Sequence, residues 1–269
     1  MKKFILWVLP LALVLGLLQP PRPVLADNDP KATPTVAATP DEDEVSEDEA
    51  PPLFLAEVKG DVRIQRRGDV NKAQPPQEIQ AEDHILTAKD STAFLLIRGG
   101  GTIEVGPHSD FKVREFLIDP KTMKAKFQMA FGQMKAILHK LTSPSSCFEI
   151  EAGGVVSGVR GTTFGVTYDK DKKEETTKTY EGTVYAKVNG KEKLVEKGFG
   201  LVVGKGGSPL LAALAEDDMA DFAAFLDSNT DLEKKKQIIL KQMIKGSLEH
   251  LLNKKTNPKK DPVGLQFHF

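Results

Sequence analysis

The chain has 269 residues, with 37 Lys+Arg against 38 Asp+Glu, 40% apolar residues and a single cysteine. That is room for one medium domain or two small ones around a real core. The net charge of −1 excludes a dedicated nucleic-acid binder, which would be clearly basic. One cysteine excludes an internal disulfide framework, a Cys-cluster zinc site and a Cys-ligated iron–sulfur centre.

Met1-Lys2-Lys3 is a short positive start, and residues 4–18 are apolar apart from Pro10 and Gly16. Gln19 to Pro23 breaks the run, and Val24-Leu25-Ala26 places small residues at the −3 and −1 positions of a cut. This is the three-part pattern of a secretory signal peptide over residues 1–26. The apolar run is shorter than the ~20 residues a spanning helix needs. No later segment is apolar enough to span a bilayer, so no transmembrane anchor is expected after cleavage. The sequence predicts an exported protein, periplasmic or extracellular in a bacterium.

Residues 27–52 read as a disordered linker. Pro30, Pro34, Pro40, Pro51 and Pro52 punctuate it, and over residues 27–50 nine carboxylates face one lysine. Self-repulsion and missing apolar bulk leave nothing to offset the entropy of ordering. A calcium loop would need ligands at fixed offsets and a tight Gly turn, which are absent.

Residues 53–205 read as short strands and turns. Residues 53–58 are apolar up to Lys59-Gly60-Asp61, after which Val62 and Ile64 alternate with polar residues. Ala93 to Ile97 is a continuous buried-strand run, turned by Arg98-Gly99-Gly100-Gly101. Phe127, Met129 and Phe131 alternate up to Gly132, and Met134, Ala136 and Leu138 alternate after it. Phe148 and Ile150, then Phe164, Val166 and Tyr168, then Val184, Ala186 and Val188 keep the same period. Asn189-Gly190 is a tight-hairpin signal. More than ten such runs with almost no helical period predict a mainly β domain: a sandwich, a roll or a short β-helix.

Several stretches in this order resemble a known family. They are Ala56-Glu57-Val58-Lys59-Gly60-Asp61-Val62, Ile85-Leu86-Thr87 before Ser91 to Leu95, Gly106-Pro107-His108-Ser109, and Phe131-Gly132-Gln133-Met134. The most specific runs from Phe148-Glu149-Ile150 to Val159-Arg160-Gly161-Thr162-Thr163-Phe164-Gly165-Val166, with Tyr180 to Val184 after it. Together, over about residues 55–205, they resemble the FecR domain family. The resemblance implies an extracytoplasmic β-rich module, seen in proteins that relay a signal from an outer-membrane transporter to a cytoplasmic sigma factor. Those proteins carry a cytoplasmic helical region and a membrane span. Only Met1-Lys2-Lys3 would remain inside here, so direct contact with a sigma factor is not expected.

No catalytic constellation emerges. Cys147 follows His139 by eight residues, but the strand pattern at Phe148 and Ile150 puts Cys147 on the opposite side from the core. His84, His108, His139, His250 and His268 share no chelating spacing, so no metal and no cofactor are expected. Gly204-Lys205-Gly206-Gly207-Ser208 lacks the spacing of a phosphate loop. The one constellation singled out for binding is Arg160-Gly161-Thr162. Its functional reading is a guanidinium on a Gly-flanked turn, able to grip a carboxylate or sugar hydroxyls. Its structural reading is an Arg folded onto loop carbonyls beside a glycine kept for its backbone freedom.

Residues 206–269 read as a helical basic tail of two helices, one from Pro209 to Leu226 and one from Asp231 to Asn253. Leu232, Ile239, Met243, Leu248, Leu251 and Leu252 form an apolar stripe. Lys234, Lys235, Lys236, Lys241 and Lys245 occupy other faces, as a surface for a partner or an anionic envelope. Gln266 to Phe269 ends in an aromatic residue, without the lipid-facing strands of a barrel. The sequence thus predicts an exported, non-enzymatic module that binds or scaffolds an envelope protein or polysaccharide, with a role accessory to envelope signalling. A glycan-acting enzyme and a purely structural surface protein stay open as alternatives.

Overall fold

The computed structural model describes residues 51–119 and 122–256, all within one compact unit, Asp43–Phe269. The expected signal peptide, nearly all of the linker and residues 257–269 lie outside the described residues. The strands in chain order begin β1 (Leu53–Lys59), β2 (Val62–Arg66), β3 (Asp69–Lys72), β4 (Gln77–Glu78), β5 (His84–Thr87) and β6 (Thr92–Ile97). They continue β7 (Gly101–Val105), β8 (Ser109–Ile118), β9 (Met123–Leu138), β10 (Cys147–Ala152), β11 (Val155–Val159) and β12 (Thr163–Asp169). The last are β13 (Glu174–Glu181), β14 (Thr183–Val188), β15 (Lys191–Glu196), β16 (Phe199–Val203) and β17 (Pro209–Ala213), before one helix, α1 (Glu216–Thr256).

The strands form one hydrogen-bonded network that folds into two facing layers. One layer runs β4-β1-β6-β7-β9-β12-β13-β16-β17 and is antiparallel throughout. The other runs β3-β2-β5-β8-β9-β10-β11-β14-β15, with β9 and β10 parallel. The predicted mainly β class is therefore a sandwich, and β9 belongs to both sheets.

β9 changes sheet at Gly132. Its first half pairs with β8 and β10, and its second half with β7 and β12. Gly132 has φ +108°, and a Cβ there would collide with Ser109. Such a conformation is open to glycine and strained for other residues. A buried knot holds the bend. Gln133 N–H donates to Ser109 Oγ at 3.0 Å, and Ser109 Oγ donates to Gly106 O at 2.9 Å. Ser109 N–H donates to Thr87 Oγ1 at 2.9 Å, and Thr87 Oγ1 donates to Gly106 O at 2.6 Å. Corners of this kind let one strand serve two sheets.

Between the layers, Phe111, Phe127, Phe148 and Phe164 form a chain of ring contacts with centroids 5.0, 5.1 and 6.0 Å apart. The chain joins β8, β9 and β10 of one sheet to β12 of the other. Aromatic pairs at these separations add to plain area burial.

The tail differs from its expectation. Residues Pro209–Ala213 form a strand, and a single helix of 41 residues replaces the predicted pair. Pro209 occupies the first position of an edge strand, where its missing N–H is tolerated. α1 instead starts with Glu216, Asp217 and Asp218, which suit the positive end of the helix dipole. The Asp-Ser-Asn-Thr stretch at 227–230, between the two expected helices, continues the helix. Thr230 Oγ1 donates to Leu226 O at 2.9 Å, and Phe225 and Leu232 are buried on either side.

α1 crosses the outer face of the first sheet, which is called the covered sheet below. Phe222 stacks on Tyr180 of β13 with centroids 4.3 Å apart. Asp218 pairs with Lys178 at 2.7 Å, Asp221 with Lys135 at 2.7 Å, and Lys235 with Glu57 at 3.4 Å. Leu232, Ile239, Leu240 and Met243 bury Phe54 and Ala56 of β1 and Phe94 and Leu96 of β6. Within the predicted apolar stripe, Leu232, Ile239 and Met243 do this work. The side chains of Leu248, Leu251 and Leu252 are outside the described set.

The inner face of β13 is polar. Glu175, Thr177 and Thr179 are buried between the layers. Ser157 Oγ lies 2.7 Å from Thr177 Oγ1, which donates to Glu175 Oε1 at 2.6 Å. Glu175 Oε2 and Thr179 Oγ1 have no protein partner. Burial pushes the Glu175 carboxyl up to about 8, against a weaker opposing pull from Thr177.

Two expectations follow. Phe94→Ala, which empties the helix–sheet interface, should lower unfolding stability by about 3–5 kcal/mol, whereas exposed Leu194→Ala should stay within about 0.5 kcal/mol. Urea midpoints check this, and equal effects would sink the assigned interface. The Glu175 carboxyl is tested by pH. Its folded value lies above the ordinary 4.5, so its stabilising contribution is complete below about pH 4.5. It declines between about pH 4.5 and 8, by at most roughly 1.4 kcal/mol per unit, because the unfolded chain ionises first, and levels off above that. Glu175→Gln should lack this decline and exceed the wild type in urea midpoint at about pH 8.5. Parallel midpoint curves for the two proteins would contradict it.

Candidate functional site

α1 leaves the outer face of the second sheet, the open sheet, uncovered. Across this face, Lys126 of β9 pairs in register with Glu149 of β10, Glu149 with Gly158 of β11, Gly158 with Tyr185 of β14, and Tyr185 with Leu194 of β15. Alternation sends Phe148, Ile150, Val159, Val184 and Val195 into the core. Their neighbours therefore face outward.

Gly158 supplies no side chain in the middle of this row. The result is a depression of about 400 Å³ lined by Cys147, Glu149, Gly158, Arg160, Tyr185 and Glu192, among others. A Cβ on Gly158 would meet Tyr185 O at 3.8 Å and Glu149 Cγ at 3.9 Å, which is ordinary contact. Glycine here is a matter of space rather than backbone strain.

The walls are chemically mixed. Tyr185 is 42% exposed and offers a ring and a hydroxyl. Arg160 is exposed, and its guanidinium donates one long bond, 3.4 Å, to Pro144 O. That weak tether leaves its fork free to meet a carboxylate or hydroxyls. Glu149 and Glu192 set two carboxyl groups along the same depression. Beside it, Lys126 forms a 3.0 Å ion pair with Glu115. The hydrogen bond and charge of Glu115, helped by Glu149 and Cys147, hold the Lys126 ammonium above its ordinary value.

Within the predicted trio, only Arg160 lines the groove. Gly161 and Thr162 carry the chain from β11 in the open sheet to β12 in the covered one. Gly161 has φ +96°, and a Cβ there would collide with Lys140. Thr162 is buried; its hydroxyl donates to Thr183 O at 3.2 Å and its carbonyl accepts from Leu138 N–H at 3.1 Å. The crossover thus fixes where Arg160 stands. Tyr185, Glu149 and Gly158 were not singled out from the sequence, although the alternation around Val184 and Ala186 already turned Tyr185 outward.

The predicted lysines all lie on α1. Lys235 is held by Asp231 at 2.7 Å and Glu57 at 3.4 Å. Lys236 lies 4.0 Å from Glu233. Lys234, Lys241 and Lys245 are exposed. Cys147 lies in the groove, while His139 lines a separate depression beside Gly99 and Gly100. Among the described residues no group of three or more His, Cys, Asp or Glu is placed to hold a metal ion. No helix among them is long and apolar enough to cross a membrane.

Comparison with known proteins finds a family model that matches part of the chain, including most of this site. Residues 83–185 match the family model described as FecR protein. The matched segment includes the Ser109–Gly132 corner and the groove residues Cys147, Glu149, Gly158, Arg160 and Tyr185. No curated protein matches the chain. Two crystal structures described as a candidate anti-sigma factor from Parabacteroides distasonis are similar in part. The 1.65 Å structure has a TM-score of 0.44 at 9% identity, covering 52% of this chain and 64% of that one. The 2.50 Å structure has a TM-score of 0.42 at 13% identity, covering 48% and 59%. The chain thus spans about three fifths of the length of those proteins.

Proposed function

We propose that this chain, which carries a FecR domain over residues 83–185, is a non-catalytic binding module of the bacterial cell envelope, accessory to envelope signalling. One observation carries the reading. Among the described residues, α1 packs on the outer face of one sheet and no element packs on that of the other, which holds a groove floored by Gly158 and walled by Tyr185 and Arg160. An aromatic ring and an exposed guanidinium are the side chains that most often anchor an interface. A carboxylate or hydroxyl-rich partner, protein or polysaccharide, suits them. The groove is open and shallow, and its two acids, Glu149 on β10 and Glu192 on β15, line an exposed sheet face rather than an enclosed pocket. That favours binding over glycan cleavage, which needs two carboxyl groups set across one bond.

Export is part of the same proposal. A cut after Ala26 would release a chain starting at Asp27, with the acidic residues up to Glu49 as a tether before the sandwich. N-terminal sequencing of protein recovered outside the cytoplasm should begin at Asp27. Recovery only of chains that retain Met1, or only from the cytoplasm, would overturn this.

The groove is tested by photo-crosslinking in intact cells, with the crosslinker at Leu194 beside it or at Lys234 on α1. Capture from Leu194 should fall roughly tenfold to a hundredfold in Tyr185→Ala and Arg160→Ala. It should also fall in Gly158→Leu, which fills the floor, while urea midpoints stay near the wild type. Capture from Lys234 alone, or capture from Leu194 untouched by the three substitutions, would move the binding surface to the basic helix.

A further inference from the structure

Among the described residues the two sheets have four free edges, and three of them are blunted. β4 is two residues long. β3 carries Asp69, Asn71 and Lys72, all exposed. β15 carries Lys191, Glu192, Lys193 and Glu196, likewise exposed. Shortness and charge are how proteins keep sheet edges from pairing with other chains. The fourth edge, β17, has neither device. It reads Pro209-Leu210-Leu211-Ala212-Ala213, every residue exposed, with Leu210 at 66% and Leu211 at 49%.

One side of β17 pairs with β16, from Val203 opposite Pro209 to Phe199 opposite Ala213. The other side has no strand beside it among the described residues. Pro209 lacks an N–H only at the strand's first position, so the remaining backbone groups stay available. Leu211 is in register with Leu201, which lies in the core, so it faces the interior side of the sheet. Phe199, two residues from Leu201 and on the same side, is 39% exposed. The flank of the sandwich at β17 is therefore apolar as well as unpaired.

We infer that β17 is the surface through which two copies of this chain associate, edge to edge and antiparallel, joining their covered sheets into one. The strand is complementary to itself in that arrangement. A two-fold axis at Leu211 sets Leu211 against Leu211 and Leu210 against Ala212, so that bulk meets small. Charge favours the same direction. Lys205 precedes the strand, and Glu216 and Asp217 follow it. Antiparallel pairing brings the basic approach of one copy beside the acidic exit of the other, whereas parallel pairing sets like against like. The same patch used by both copies gives a closed dimer rather than a fibre. This surface lies on the covered sheet and stands independently of the groove on the open sheet.

A register-specific crosslink tests it. In the full chain with Cys147→Ser, Leu211→Cys places two thiols across the axis. Residues directly opposite in an antiparallel pair have Cα atoms about 4.5–5.5 Å apart, within the range a disulfide accepts. Mild oxidation should convert most of Leu211→Cys to a covalent dimer. The equally exposed control Leu194→Cys, on β15 of the open sheet, should stay largely monomeric. By light scattering the wild type should have the mass of a dimer, and Leu211→Lys should weaken association at least tenfold while keeping the wild-type circular dichroism spectrum. A monomeric wild type at all concentrations, equal crosslinking of the two cysteine variants, or a dimer that survives Leu211→Lys would each overturn the inference. A strand supplied by a different protein would appear as the first of these.

Discussion

The bend in β9 is the constraint on which the architecture rests. A strand of 16 residues cannot pair with β8 and β10 on one layer and β7 and β12 on the other unless it turns sharply between them. Gly132 provides the turn, and the Thr87–Gly106–Ser109–Gln133 knot fixes it. Without the knot the corner would leave buried donors and acceptors unpaired, each at a cost of about 1–3 kcal/mol. With it, the first eight strands and the last eight are tied to one shared element. The Phe111–Phe164 ring chain then fills the space on both sides of the corner.

Once the corner is set, the two outer faces diverge. β1 and β6 are apolar on both sides, Leu53, Leu55, Ala93 and Leu95 facing the sandwich and Phe54, Ala56, Phe94 and Leu96 facing out. A sheet of this kind must be covered, and α1 covers it. The helix does so with apolar contacts at its β1–β6 end and with mixed ion pairs and ring contacts at its β9–β13 end. On the open sheet the outward positions of β10, β11 and β14 include Glu149, Gly158, Tyr185 and Lys187, which tolerate water. The same chain thus specifies one face to be closed and the other to be available.

How far the sequence carried the reading depends on which physical signal each segment held. The continuous run at Ala93–Ile97 already meant burial on both sides, though not what lay on the second side. The Asn189-Gly190 turn between β14 and β15 and the alternation on either side of Gly132 were legible because turn chemistry and period 2 are local. That the two stretches around Gly132 form one strand shared by two sheets was not, since the knot at Ser109 comes from residues 24 positions away. Pro209–Leu214 misled because Leu and Ala favour helices, and pairing with β16 overrides that propensity. For the site, Arg160 stood out by its flanking glycine, while Tyr185 and Glu149 became neighbours only through strand register.

β11 links the interior to the groove. Its inward residues are Val155, Ser157 and Val159, and its outward ones include Gly158. Ser157 contributes to the buried polar ladder with Thr177 and Glu175, and Gly158 contributes no side chain at all. The strand therefore gains little from apolar packing at its centre and is held by backbone pairing to β10 and β14 on both sides. A floor made this way is stiff, because its hydrogen bonds are fixed by two neighbours, and it is featureless, because it offers only backbone. Under the proposed binding role, discrimination among partners falls to the walls. Tyr185 stands beside Gly158 on the neighbouring β14, Arg160 follows the end of β11, and the crossover at Gly161 and Thr162 sets the position of the second relative to the first. The residues that fold the domain and those that line the groove are adjacent in the chain but separate in their work.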